Sequence, residues 1–277
     1  MGRIMTEEGT MEMKPLGPTG VTLPEIGLGT WRHNGSPEVI RRALELGALF
    51  IDTAESYKTE TGVGNAIRGN SHKYFIGTKV SPGHFRHKDV LNAADASLKK
   101  LGVDQIDLYQ LHWPSLRIPI AETMGAMKEL VQAGKVRFLG VSNFSVEQTE
   151  SAQEALGATP LVSNQVLYSL FDREIEKELL PYCAEHQITV IAYSPLAQGK
   201  IDHALRNRPK LTAVLDSVCA KTGKTRAQVL LNWCVRHPSV VTIPQTNKVE
   251  RVDENCAASG WRLTQEQYDV LSETDGF

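Results

Sequence analysis

Residues 106–143 read IDLYQLHWPSLRIPIAETMGAMKELVQAGKVRFLGVSN. The segment opens on the apolar run Ile106–Leu111, passes through a helical pattern over Ile118–Ala133, and stops at Gly134. A second apolar run, Val136–Ser142, follows at once. Both runs are continuous rather than alternating, as expected of strands buried on both faces of a parallel sheet. A glycine after a helical pattern supplies the left-handed residue that ends the helix. Strand, helix and strand in this order form a βαβ unit, because parallel neighbours need a crossover.

Outward from this segment the unit recurs. Further β-rich runs lie at Glu25–Thr30, Leu49–Thr53, Tyr74–Val80, Leu161–Gln165, Thr189–Ser194 and Val240–Pro244. Helical patterns fill the gaps. One begins at Ser36-Pro37, with Ser36 as N-cap and Pro37 at the first helical position. Others span Lys88–Leu101, Val146–Leu156, Glu174–His186, Thr225–Arg236 and Val249–Ala258. The long gap before the last run is expected to hold an extra loop and helix around Ala197–Leu215. Eight strand–helix units in 277 residues match a (β/α)8 TIM barrel, read as a single domain. A doubly wound sheet is the rival. Neither Gly27-Leu28-Gly29 nor Gly62-Val63-Gly64 continues to the third glycine of the dinucleotide fingerprint.

Composition narrows the function. With 41% apolar residues and a net charge of −2, the chain is neither disordered nor a basic nucleic-acid binder. No run is long and apolar enough to predict a membrane-spanning helix. The expected partner is therefore a small molecule, not nucleic acid or membrane. The four cysteines form no CxxC pair and are read as free thiols of a reducing compartment, so a cytoplasmic location is expected. Residues 1–13 contain Glu7, Glu8 and Glu12 without an apolar segment. They are read as a flexible extension with no secretory leader.

In a TIM barrel, chemistry sits at the C-terminal strand ends. The polar residues there are Asp52, Lys79, His112, Ser142-Asn143, Gln165, Tyr193-Ser194 and Pro244-Gln245, with Tyr57 in the loop after Asp52. Each has a plain structural reading. Asp52, Ser142 and Asn143 can cap helices, Lys79 can be solvated, Tyr57 can be a loop tyrosine, and His112 can be packed in the core. Together they form a complementary set. A tyrosine beside an ammonium is expected to have a lowered pKa, with Asp52 holding Lys79 in place. His112 can hydrogen-bond the same substrate oxygen. Such a site protonates an oxygen as negative charge develops on it, which carbonyl reduction by a nicotinamide requires. Ser142, Asn143 and Gln165 can pair with a carboxamide, and Tyr193 can stack on the nicotinamide ring.

At these residues the sequence resembles the aldo-keto reductase family, from about Lys14 to Leu271. The segments are Gly27-Leu28-Gly29-Thr30-Trp31, Asp52-Thr53-Ala54-Glu55-Ser56-Tyr57, Gly77-Thr78-Lys79, Leu111-His112-Trp113-Pro114, Gly140-Val141-Ser142-Asn143-Phe144 and Ala192-Tyr193-Ser194-Pro195-Leu196. Ile243-Pro244 and Arg251 through Glu254-Asn255 complete the match. The resemblance implies a barrel over residues 14–277, closed at its bottom by a short N-terminal β-hairpin at Lys14–Leu23. It implies a catalytic tetrad of Asp52, Tyr57, Lys79 and His112, with Tyr57 as general acid. The cofactor would lie against Gly29, Thr30, Ser142, Asn143, Gln165 and Tyr193, with Ser194, Leu196 and Gly199 along its pyrophosphate. Pro244, Gln245, Thr246, Asn247, Arg251, Glu254 and Asn255 would hold its adenosine end. Trp31 and Trp113 would wall the substrate pocket.

One position departs from the family pattern. Gln245 stands where the family often has a lysine facing the 2′-phosphate, while Arg251 is kept and Lys248 lies nearby. NADP(H) is therefore expected, with weak discrimination against NAD(H). The resemblance implies an aldehyde and ketone reductase that is a monomer. Two alternatives remain open: a Schiff-base lyase using Lys79, and a cofactor-binding regulatory subunit of the same fold. A metal hydrolase is disfavoured, because His84 and His87 have no obvious third ligand.

Overall fold

The computed structural model describes residues 2–6, 9–70 and 73–274. The barrel consists of β4 (Leu28–Gly29), β5 (Phe50–Asp52), β6 (Phe75–Val80), β7 (Ile106–Leu111), β8 (Val136–Ser142), β9 (Leu161–Leu167), β10 (Thr189–Tyr193) and β11 (Val240–Thr242), after three N-terminal strands. These eight form one sheet in sequence order, each pairing in parallel with the next. Parallel bridges Ile26↔Thr242 and Gly29↔Gln245 join the two ends of the sheet. The result is a (β/α)8 barrel, a single domain. The strands are buried almost throughout, which is why they read as unbroken apolar runs.

The interior is packed, not hollow. Phe50, Phe75, Leu108, Val162, Ile191 and Val241 meet Leu16, just past the second N-terminal strand, and Leu23 from the third. Two larger apolar shells fill the space between sheet and helices. The bottom is sealed by β1 (Gly2–Thr6), β2 (Gly9–Pro15) and β3 (Thr22–Pro24), an antiparallel three-stranded sheet. The expected flexible extension over residues 1–13 is corrected by this finding for the described residues. Met11 and Met13 are buried, so apolar burial holds β2 in place. Met1, Glu7 and Glu8 lie outside the described residues. Lys14 is buried beneath the barrel and donates to the carbonyls of Val235, His237 and Val240. Its neighbour Glu25, equally buried, accepts from Ser259 and Arg262.

Several local expectations change. The helix expected over Glu174–His186 is a single 3-10 turn at Glu174–Glu176 followed by a helix at Leu179–Glu185. Pro181 lacks an N–H and its ring clashes with the carbonyl four residues earlier, so one continuous helix is excluded. Ser36 makes no side-chain cap; its hydroxyl donates to Glu38 instead. Ser142 and Asn143 do not cap the next helix either, because Ser145 does so in a reciprocal capping box with Gln148.

The one helix expected around Ala197–Leu215 is a pair, Ile201–Leu205 and Pro209–Thr222. Two helices had no expected counterpart, Glu60–Ile67 and Gln265–Glu273. The first contains Gly62 and Gly64, which hide it from propensity. Its packing needs one of them. A Cβ on Gly64 would lie 2.4 Å from the carbonyl oxygen of Leu101, at the end of the His87–Leu101 helix. Gly64→Ala should lower unfolding stability by about 1–3 kcal/mol, the usual cost of overpacking. Urea unfolding checks this, with turnover per folded molecule expected to stay unchanged.

Candidate active site

The strand ends converge on one mouth. A cavity of about 690 Å³ opens there, lined by residues that include Asp52, Tyr57, His112, Ser142, Asn143, Gln165 and Tyr193. Gly29, Ser194, Leu196, Gly199, Pro244 and Gln245 line it as well. So do Trp31 and Trp113, 38% and 49% exposed at the rim. Lys79 and Thr30 do not line it; they are fully buried just behind it. Thr246, Asn247, Arg251, Glu254 and Asn255 lie beyond the cavity wall.

The floor is an ion pair. Lys79, at the end of β6, donates from Nζ to Asp52 Oδ2 at 2.6 Å and to the carbonyl of Thr53 at 2.9 Å. The second carboxylate oxygen, Oδ1, accepts from Gln165 Nε2 at 2.7 Å and from Gln110 Nε2 at 3.5 Å. Both carboxylate oxygens of Asp52 thus have partners in the low-dielectric interior. Gln165 was expected to face a carboxamide; here its amide nitrogen is bonded to Asp52.

Tyr57 ends a single 3-10 turn, Glu55–Tyr57, after β5. Its hydroxyl lies 3.3 Å from His112 Nε2, and the two rings meet nearly edge to face. Lys79 Nζ sits over the face of the tyrosine ring, 5.0 Å from its centroid, rather than at its hydroxyl. The expectation of a Tyr57 pKa lowered overall is corrected, because the net shift is upward. Burial, then Asp52, then Tyr193 push the phenol above its ordinary value, so it is protonated across the neutral range. Lys79 itself is pulled below its ordinary value by burial, with Asp52 opposing. His112 is pushed down to about 4 by burial and by Lys79, so it is neutral at pH 7.

The amide group forms a second cluster. Ser142 Oγ donates to the Gln165 carbonyl at 2.8 Å. Asn143 Nδ2 donates to the His112 carbonyl at 3.2 Å, and its Oδ1 accepts from the Tyr193 hydroxyl at 2.9 Å. Asn143 occupies the left-handed backbone region with φ 63°. Arg32, Lys58, Ser194, Ala197 and Gln198 share that region, and all follow barrel strands on the same rim. Such backbone strain is concentrated at functional loops.

Sequence reasoning passed over Arg32, Ser56, Gln198 and Lys200, which also line the cavity. Their signal was adjacency: each sits one or two residues from a named position. At the far end, Asn247 ties two loops together, accepting from the Asn34 amide at 2.9 Å and donating to the Arg32 carbonyl. Arg251 is exposed and paired with Glu254. The cavity fits a dinucleotide by its donor set: amides at the inner end, Lys200 and Arg32, the latter stacked on the Trp31 ring, along the walls, and cationic Lys248 and Arg251 outside it.

A sequence model of the Aldo/keto reductase family matches residues 25–275. The chain belongs to this family. Among curated members it is 37% identical over 261 residues to a methylglyoxal reductase of Escherichia coli strain K12, covering 91% of this chain and 90% of that protein. It is 36% identical to a glyoxal reductase of Bacillus subtilis strain 168, covering 91% and 89%. A Klebsiella pneumoniae aldo/keto reductase solved with NADP and acetate superposes with a TM-score of 0.82 at 38% identity, covering 93% of each chain.

Among the described residues of this aldo-keto reductase, no group of three His, Cys, Asp or Glu side chains is placed to hold a metal ion. His84 and His87 contact Glu55 and Glu129 respectively. No helix of the described residues is long and apolar enough to cross a membrane.

The depressed His112 pKa has a measurable consequence. Between about pH 6.5 and 4 the unfolded chain takes up a proton that folded His112 does not. This contribution to stability is complete above pH 6.5 and declines as the pH falls through that window. His112→Gln should flatten the acid decline in urea-unfolding free energy, and nuclear magnetic resonance should find the wild-type ring titrating near pH 4.

Proposed function

We propose that this protein is a carbonyl reductase that converts small aldehydes and ketones to alcohols with NADPH, with Tyr57 as general acid. The observation that carries the reading is the meeting of Tyr57 and His112 on one cavity wall, directly above the buried Lys79–Asp52 pair. The names of the relatives, methylglyoxal reductase and glyoxal reductase, point to small dicarbonyl compounds as a substrate class.

A bound reduced nicotinamide supplies hydride to the carbonyl carbon. Tyr57 supplies the proton to the carbonyl oxygen as the C–O double bond becomes single, leaving an alcohol and a phenolate. The raised phenol pKa keeps that proton in place until negative charge appears on the substrate oxygen. The ammonium over the ring face then favours the phenolate. Neutral His112 can donate one N–H to the same oxygen, an arrangement that lowers the barrier without adding charge. Asn143 and Ser142 are the groups suited to a carboxamide, and Tyr193 to the ring beside it.

NADPH is favoured over NADH by Arg251 and Lys248, with Gln245 weakening the discrimination. Lys79 is an unsuitable Schiff-base nucleophile, since it is fully buried and bonded to Asp52. Free thiols, three of the four buried, suit a reducing compartment, which supports a cytoplasmic location.

Loss of reduced-nicotinamide absorbance with methylglyoxal tests the reading. Tyr57→Phe should lower turnover by about 10²–10⁴-fold while NADPH still binds. Wild-type-like turnover in that variant removes the proposed acid. Arg251→Ala should reduce the NADPH:NADH efficiency ratio by about tenfold or more, the worth of a charge-assisted hydrogen bond. An unchanged ratio places the 2′-phosphate elsewhere.

A further inference from the structure

The turn that carries Tyr57 is weak by itself. It contains two backbone hydrogen bonds, Tyr57 N–H to the Ala54 carbonyl at 3.1 Å and Lys58 N–H to the Glu55 carbonyl at 3.4 Å. It then ends in a left-handed Lys58 with φ 61°. A lone 3-10 turn is not self-sustaining, so its position must come from side chains.

Glu55, the first residue of the turn, supplies such an anchor. Its side chain is 12% exposed and reaches across to the segment after β6. Oε1 accepts the Ser81 backbone N–H at 2.6 Å. His84 Nδ1 lies 3.0 Å from Oε1 and 3.1 Å from Oε2. Ser81 is two residues beyond Lys79 and begins where β6 ends. One carboxylate therefore joins the turn bearing the phenol to the strand end bearing the ammonium.

We infer that Glu55 is a positioning residue: its clasp on Ser81 and His84 sets Tyr57 over Lys79 and against His112. The inference rests on the proposed reductase reading, in which the placement of Tyr57 governs proton transfer. A carboxylate holding a backbone N–H is a charge-assisted bond with defined geometry, which suits this role. A misplacement of about 1 Å at a reacting group can lower a rate about a hundredfold.

The test compares Glu55→Ala, Glu55→Gln and Ser81→Pro. The proline variant removes the donor and leaves the carboxylate. Ser81 has φ −81° and ψ 151°, which proline adopts without strain. Glu55→Ala should lower kcat for methylglyoxal by about 10–100-fold, with KM and the NADPH dissociation constant held within about twofold. Glu55→Gln keeps an acceptor oxygen and should recover most of the rate. Ser81→Pro should resemble Glu55→Ala, and the double variant should be no slower than either, as expected of one shared contact. Hydrogen exchange at the Ser81 amide, read without turnover, should accelerate in Glu55→Ala.

The inference is overturned if Glu55→Ala keeps its kcat, if Gln is no better than Ala, or if losses in kcat, KM and NADPH affinity move together. Additive effects of Glu55→Ala and Ser81→Pro would also overturn it. A wild-type protein that binds NADPH yet reduces no carbonyl removes the reductase reading and the positioning role with it. An active wild type with an indifferent Glu55 removes the positioning role alone.

Discussion

A buried ion pair organises this molecule. Lys79 and Asp52 meet at 2.6 Å, side chains 0% and 2% exposed, in an interior where an unpaired charge would cost several kcal/mol. Such a pair is tolerable only when its remaining hydrogen-bonding capacity is met. Gln165 from β9 reaches across to Asp52, while the Thr53 carbonyl takes a second proton of Lys79. Strands β5, β6 and β9 are thereby tied at the level where chemistry is proposed. The pair adds little net charge to the cavity, yet it places a cation under Tyr57, and that cation adds to burial in lowering the His112 pKa.

The rim above that pair is built on a different principle. Its loops contain left-handed non-glycine residues, a lone 3-10 turn and half-exposed tryptophans. The bottom is dense by contrast, with Lys14, Glu25 and Ser259 buried and Arg262 partly so. The dense packing and the proposed site occupy opposite ends of the barrel, as the fold generally arranges stability and chemistry.

Much of this was legible in the residues. The strands were readable because burial on both faces leaves no polar alternation to confuse the pattern; Ile106–Leu111 and Val136–Ser142 fall where the sequence put them. The four residues proposed as a tetrad could be picked out because each ends a strand or follows one closely, and the fold brings them together. Contacts through space were not. Nothing local says that Gln165 bonds Asp52 or that Lys79 lies over a ring face, and the direction of the Tyr57 shift depends on both burial and that placement. The Glu60–Ile67 helix was hidden because it contains two glycines, one of which, Gly64, answers to Leu101, distant in sequence. Strand β1 was hidden because it is short and the glutamates that follow it resemble a tail, while its register is set by β2.

The seam where the cylinder shuts has a consequence for biogenesis. Ile26 meets Thr242 and Gly29 meets Gln245, while Lys14 bonds carbonyls more than two hundred positions later in the chain. An emerging polypeptide therefore holds seven strands with two open edges until its last strand leaves the ribosome. Loop closure over such separations is slow relative to local helix formation. During that interval the apolar faces of the sheet are available to wrong partners, and the arrival of β11 is the event that protects them.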